Sequence, residues 1–156
     1  MADTYVQSDT PTSIYGSSAQ FVTDNSPIRN MLMKFNVSGL GTQSIISAKV
    51  RIYCVDSSPF GGEFHGVADT AWSETGVNWN NAPIAAPNIL ATLGKVSAGN
   101  WYEVDVTALV TGDGIYSLKI NSTSSDGAYY STREGAAGFA PQLIIVTAPG
   151  TSTPMP

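Results

Sequence analysis

Charged residues are scarce in this chain, and basic residues are the scarcer kind. Only 12% of the 156 residues are charged, and 12 acidic against 7 basic side chains give a formal net charge of −5. General affinity for nucleic acid or for a membrane surface requires a basic excess. The composition therefore argues against both partners, while a local cluster of the few cations could still bind a specific anion.

Cysteine, histidine and long apolar runs are also nearly absent. Cys54 is the single cysteine, so no disulfide bond can form within the chain, and its place in an alternating apolar run predicts a buried thiol. His65 is the single histidine, so zinc would lack a second imidazole ligand. No apolar run approaches the ~18 residues that a membrane-spanning helix needs. Redox, zinc and membrane-spanning roles are thus without support.

Short alternating segments, separated by clusters of Gly, Pro, Asn, Asp and Ser, make up most of the chain. Strands are expected over residues 20–23, 31–37, 46–55, 63–68, 102–106, 116–121, 128–131 and 142–147, and one helical turn over 106–111. A hydrophobic fraction of 42% is enough for one core in a chain of this length. The pattern predicts an all-β fold, a two-sheet antiparallel β-sandwich with jelly-roll connections.

Side-chain alternation along the strands assigns residues to the inside or the outside, because successive side chains point to opposite faces of a sheet. Met31, Met33 and Phe35 are expected inside, which puts Leu32 outside. Tyr53 is likewise expected on an outer face. Four of the seven basic residues are directed outward in the same way: Lys34, Lys49, Arg51 and Lys119.

These outward cations permit two interpretations. Strand Lys and Arg residues keep sheet faces soluble and hinder pairing between sheet edges. Alternatively, Lys34, Arg51 and Lys119 form a cationic strip with Tyr53 beside it, which would bind the carboxylates of an acidic polysaccharide. Alternation alone leaves both interpretations open.

The most unusual segment is 72–83, with the sequence WSETGVNWNNAP. Tryptophan carries a large apolar area and one N–H group that needs a partner, so two indoles among turn-forming residues indicate a loop held down by buried rings, or a surface that stacks on sugars. We expect the ring of Trp79 to be buried under this loop.

This segment, together with ADTYV (2–6), RNMLMKFNVSG (29–39), WYEVDVT (101–107) and GDGIYSLKI (112–120), resembles the DNRLRE-type domains that are grouped with carbohydrate-binding module family 96. The similarity extends from about Ala2 to Val146. It implies a non-catalytic module that binds alginate through basic residues. Arg29, which opens the second block, and Arg133, which follows a tyrosine pair, become further candidate contacts.

Sequence evidence for a metal site or a catalytic site is weaker than that for a carbohydrate-binding module. Asp3 on the N-terminal strand, Asp113 and Asp126 are candidate oxygen ligands for a structural calcium ion, although Asp-Gly is first of all a turn signal; no other cofactor is implied. Glu103 and Asp105 share one strand face and no opposing acid is identifiable, so the paired carboxylates of a glycosidase are lacking. We therefore expect no enzymatic activity.

The domain organisation follows from these observations. Residues 2–147 are expected to form one β-sandwich module, and the Thr/Pro-rich residues 148–156 a linker or tail to other domains of an extracellular protein. The predicted function is to tether a secreted enzyme or surface protein to an acidic, alginate-like polysaccharide. The alternative is a structural or adhesive bead of a bacterial or archaeal surface protein, or of an extracellular filament, with no sugar site.

Overall fold

The computed structural model of the protein describes residues 1–149, and every regular element in this range is a β-strand. The strands are β1 (Ala2–Gln7), β2 (Gln20–Asn25), β3 (Ile28–Val37), β4 (Ser44–Asp56), β5 (Gly62–Val67), β6 (Ile89–Leu93), β7 (Asn100–Asp105), β8 (Gly114–Asn121), β9 (Ala128–Ser131) and β10 (Gln142–Ala148).

The eight strands predicted above all correspond to observed ones. The expected helical turn is a single hydrogen-bonded turn, in which Leu109 N donates to Val106 O at 2.9 Å. The proposed linker falls mostly on 150–156, outside the described residues.

All strand pairs are antiparallel and belong to one continuous, curled sheet with two halves. Sheet A contains β1, β3, β8, β5 and β6 in that order, because β1 and β8 pair with the same residues of β3 from opposite edges. Sheet B is built on β4, which pairs with β7 along one edge and with β10 and β9 along the other. Strand β2 joins the halves, since Asp24 and Asn25 pair with β3 whereas Gln20–Thr23 pair with β9.

The main core lies between the two halves. Sheet A contributes Met31, Met33 and Phe35 among others, and sheet B contributes the β4 series of Ala48, Val50, Ile52 and Cys54. The predicted all-β, antiparallel sandwich is therefore confirmed, with the difference that its two layers are halves of one sheet.

The prediction for Cys54 is also confirmed. The residue has no exposed surface, and its thiol donates to the carbonyl of Asp56 at 3.2 Å. Burial raises the pKa of this thiol, which keeps it in the unreactive protonated form.

A second, smaller core lies on the outer face of sheet A, beneath residues 68–88, which we call the covering loop. It contains Val6, Leu32, Trp72 and Val77. The expectation that Leu32 faces solvent was wrong: it points away from the main core, but the covering loop buries it completely. The Trp72 ring fixes this loop, because its Nε1 donates to Ser117 Oγ at 2.7 Å.

Trp79 differs from the expectation in degree. It is half-buried and packs against the edge of the small core, whereas Trp72 is the deeply buried indole. Within residues 1–149 the structure has no helix long and apolar enough to cross a membrane.

Candidate functional site

Two of the predicted strip residues, Lys34 and Lys119, hold the covering loop in place. Lys34 Nζ donates to Thr70 O at 2.9 Å and to Trp72 O, and lies 4.6 Å from the centre of the Trp72 ring. Lys119 Nζ donates to Pro83 O at 3.0 Å, and burial lowers the pKa of its ammonium group. Both cations thus satisfy loop carbonyls that would otherwise be poorly solvated.

The structure does not bring the predicted strip together. Lys34 and Lys119 lie on neighbouring strands of sheet A, on its outer face, whereas Arg51 lies on the outer face of sheet B. The main core separates the two faces. Alternation correctly directed all three side chains away from this core, but outward positions on two packed layers face in different directions.

This placement makes a testable prediction for Lys34. Replacing Lys34 with Ala should lower the free energy of unfolding by about 1.5–3 kcal/mol, because two carbonyls lose a charged donor. Affinity for any polysaccharide should stay unchanged. Urea denaturation and affinity electrophoresis would measure the two effects, with the exposed Lys95→Ala as the matched control. Equal stability of both variants, or lost glycan binding in Lys34→Ala alone, would contradict the structural role.

Arg29 is engaged within the protein as well. Its Nε donates to Gln7 Oε1 at 2.9 Å and its Nη1 to the Tyr129 hydroxyl at 2.8 Å, and Asp24 Oδ2 lies 3.8 Å from Nη1. These contacts join β1, β2, β3 and β9 near the strand that links the two halves.

Arg133 makes the tightest ion pair in the described part of the chain. Its Nε and Nη2 donate to the two carboxylate oxygens of Glu74, both at 2.8 Å, and its Nε also lies 3.1 Å from Glu134 Oε1. This geometry is the bidentate form of an arginine–carboxylate pair. Arg133 therefore ties the covering loop to the segment after β9.

A different group of side chains forms an open surface on the outer face of sheet B. Tyr53 lies 5.3 Å from Trp101 and 4.3 Å from Phe139 between ring centres, and the Trp101 and Phe139 rings are 6.1 Å apart and nearly parallel, at 19°. The Arg51 guanidinium lies 4.1 Å from the centre of the Trp101 ring. We call Arg51, Tyr53, Trp101 and Phe139 the aromatic platform.

Strand pairing explains how the platform forms. In the antiparallel register Tyr53 lies opposite Trp101, and Arg51 lies opposite both Glu103 and Gln142 on its two neighbours. Side chains directly opposite each other on one face are in contact distance. Phe139 completes the group from the loop before β10.

The charges around the platform are mixed. Lys49 lies 3.8 Å from Glu103 in an exposed ion pair, which contributes little binding energy. The Arg51 Nη1 has a long contact of 3.4 Å to Gln142 Oε1, and Arg51 forms no salt bridge within residues 1–149. Its guanidinium donors remain available to a ligand. A shallow cleft of about 230 Å³ continues from the platform between Tyr53 and Phe139.

Two platform residues were missed among the candidate contacts. Trp101 carries a signal in the sequence, since Tyr102 and Val104 face the core and the residue before them must face out. Phe139 carries none that we recognise, because it comes from a loop rather than an alternating strand. Of the seven predicted contacts, Arg51 and Tyr53 lie in the platform and Lys49 beside it.

The three predicted calcium ligands lie apart. Asp113 Oδ1 accepts a hydrogen bond from Leu40 N at 2.9 Å. The backbone carbonyl of Asp126 accepts a hydrogen bond from Ser58 Oγ at 2.7 Å. Of the three, Asp3 is the one that lies in a group of three acids in the described part of the chain, together with Glu74 and Glu134.

Burial and the neighbouring acids set the ionisation of this group. Desolvation raises the pKa of Asp3 to about 7, and the nearby Glu134 and Glu74 carboxylates act in the same direction. Burial would also raise the pKa of Glu74, but hydrogen bonds from Arg133 and from the Asp3 amide outweigh it and leave that pKa below its ordinary value. Arg133 thus pairs with Glu74, while no cation within residues 1–149 forms a salt bridge with Asp3.

Comparison with known proteins supplies a family. The family model described as carbohydrate-binding module family 96 matches residues 1–147. No curated protein matches the chain.

Proposed function

The chain belongs to carbohydrate-binding module family 96, and we propose that it binds polysaccharide with the aromatic platform on the outer face of sheet B. Modules of such a family bind carbohydrate and are not catalytic, in agreement with the expectation of no enzymatic activity. The observation that carries the proposal is the group of three neighbouring rings on the outer face of sheet B, with the Arg51 guanidinium over the Trp101 ring. Aromatic rings offer sugars a flat apolar surface, and an exposed β-sheet provides the length for several residues of a glycan chain.

Arg51 supports an acidic polysaccharide as the ligand. A guanidinium can bind a carboxylate with two parallel hydrogen bonds, and no acidic side chain within residues 1–149 holds Arg51 in a salt bridge. Glu103 and Asp105 lie on the same face, so binding of an acidic polymer depends on the position of its carboxylates, which must lie near Arg51 and away from these two acids. A uronate polymer such as alginate fits this arrangement when one carboxylate binds at Arg51 while a neighbouring ring stacks on Trp101.

The biological role we propose is tethering. A module that binds a polysaccharide raises the effective concentration of substrate for any enzyme attached to it, without chemistry of its own. We further propose an extracellular location, which is typical of carbohydrate-binding modules, and covalent attachment to other domains, since the Thr/Pro-rich residues 148–156 have a linker composition.

A structural bead of a surface protein or filament is the second candidate. The observation in its favour is that short hydrogen bonds of 2.8–3.0 Å join four of the seven basic residues to groups of the protein itself: Arg29, Lys34, Lys119 and Arg133. This function requires no sugar site and predicts no retention on any glycan.

Affinity electrophoresis through gels containing alginate, pectin, xylan or cellulose would separate the two functions. We expect retention on alginate and a weaker effect on neutral glycans. Retention should fall as salt rises, since exposed charge pairs are screened over about 8–10 Å near physiological ionic strength. Arg51→Ala should weaken alginate binding about tenfold, and Arg51→Lys should also weaken it, because an ammonium group lacks the planar pair of donors.

Lys95→Ala is the matched control, since Lys95 is an exposed cation outside the platform. Retention of Arg51→Ala equal to that of the wild type, with the fold verified by circular dichroism, would remove Arg51 from the site. Absence of retention of the wild type on every gel would favour the structural bead.

A further inference from the structure

Three carboxylates, none of them part of the aromatic platform, converge at one place. Asp3 from β1, Glu74 from the covering loop and Glu134 from the segment after β9 each place one oxygen within 4.8 Å of the other two. Asp3 has no exposed surface and Glu74 is 9% exposed. Like charges at this distance in a partly buried site repel each other, so the arrangement needs positive charge.

Asp3 Oδ1 indicates that a ligand belongs here. It is buried and accepts no hydrogen bond from the described residues. The other oxygen, Oδ2, accepts from the backbone N of Arg133 at 2.9 Å. A buried carboxylate oxygen without a partner costs free energy of folding, which a bound cation would offset.

Arg133 does not complete the charge balance. Three carboxylates and one guanidinium leave a formal charge of −2. The guanidinium takes both oxygens of Glu74 and touches Glu134 on one side, so the remaining negative charge is on Asp3 and on the other oxygen of Glu134. One divalent cation would neutralise the group.

The spacing and chemistry of the oxygens suit calcium. Ca²⁺ binds six to eight oxygens at about 2.3–2.6 Å, so oxygens around one ion lie up to roughly 5 Å apart. Mg²⁺ prefers shorter bonds in a strict octahedron, and Zn²⁺ prefers nitrogen or sulfur ligands, which this group does not offer. Glu74 and Glu134 also line an open cleft of about 360 Å³, which gives an ion and its water ligands access from solvent.

We propose that Asp3, Glu74 and Glu134 bind one calcium ion, which links the N-terminal strand, the covering loop and the segment after β9. The ion stabilises the fold, and its three ligands are not residues of the aromatic platform. A proton shared between Asp3 and Glu134 is the competing occupant, because it too would lower the charge of the pair.

Calorimetry on protein freed of metal with a chelator tests the proposal. Titration with CaCl2 at pH 8 should give one site, and calcium at about one hundred times its dissociation constant should raise the melting temperature by roughly 5–10 °C. MgCl2 at equal concentration should have a much smaller effect. Glu134→Gln, which replaces an exposed carboxylate, should weaken calcium binding at least tenfold without unfolding the protein.

Asp113→Asn is the matched control, because it removes an acid of the protein outside the group and keeps the oxygen that accepts from Leu40 N. No heat and no thermal shift at millimolar calcium would overturn the proposal. Equal calcium affinity of Glu134→Gln and wild type would also overturn it. A more stable Asp3→Asn variant together with no calcium effect in the wild type would identify the proton as the occupant. The calcium titration and the melting temperature are measured without glycan, so their outcome does not depend on whether the platform binds alginate.

Discussion

Replacing Trp101 with alanine should remove measurable retention on the polysaccharide that the wild type binds best. Trp101 is the centre of the aromatic platform: it contacts Tyr53, Phe139 and Arg51. Its loss removes the stacking surface and also the ring that orients the guanidinium. Central tryptophans of binding surfaces commonly contribute 2 kcal/mol or more, which corresponds to at least about thirtyfold in affinity. Affinity electrophoresis or calorimetry with the glycan would measure this.

Two variants make the Trp101 result specific. Trp101→Phe keeps an aromatic ring and should lose less affinity than Trp101→Ala. Ile84→Ala truncates an apolar side chain that is 89% exposed on the covering loop, and it should bind as the wild type does. Wild-type affinity of a folded Trp101→Ala variant would place the glycan on another surface.

Replacing Trp72 with alanine should give the largest loss of stability, about 3–5 kcal/mol in the free energy of unfolding. The ring fills the small core above Leu32 and Val6, and its N–H donates to the fully buried Ser117 hydroxyl. Truncation would leave a cavity, deprive Ser117 of its partner and release the Lys34 contact to the ring. Urea denaturation followed by circular dichroism would measure the change.

Trp79→Ala is the comparison for Trp72→Ala, since it removes the same side chain from the same loop. Trp79 is half-buried at the edge of the small core, so its truncation should cost clearly less than that of Trp72. Equal costs, or a cost below about 1 kcal/mol for Trp72→Ala, would show that the covering loop is not held by the buried ring.

Alternation along the strands was enough to predict eight of the ten strands and the inward residues, because period two depends only on local backbone geometry. It could not show what covers an outward residue. Leu32 and Lys34 are outward by alternation, and yet one is buried and the other bonded to carbonyls, because the covering loop returns over sheet A. No local pattern encodes that return.

The aromatic platform and the acidic group also show that a local pattern does not reveal contacts made by loops. Arg51, Tyr53 and Trp101 come from two adjacent strands with alternating sequences, so pairing alone brings them together. Phe139 depends on the path of a loop. The acidic group joins residues separated by 71 and 60 positions along the chain, and only the closed fold places them in contact. Asp3 was recognised as a candidate ligand for its residue type, and its partners required the structure.

The covering loop also bears on how many polysaccharide chains one copy of the module would bind at the proposed site. It occupies the middle of β3 and β8 on the outer side of sheet A, so an extended polymer can lie along sheet B but cannot lie along those two strands. If the platform is the glycan site, as we propose, one copy of the module would engage one polysaccharide chain. Cross-linking of two polysaccharide chains would therefore require at least two copies joined in one protein, and the spacing of those copies, rather than the affinity of each, would set how far apart the linked chains can be.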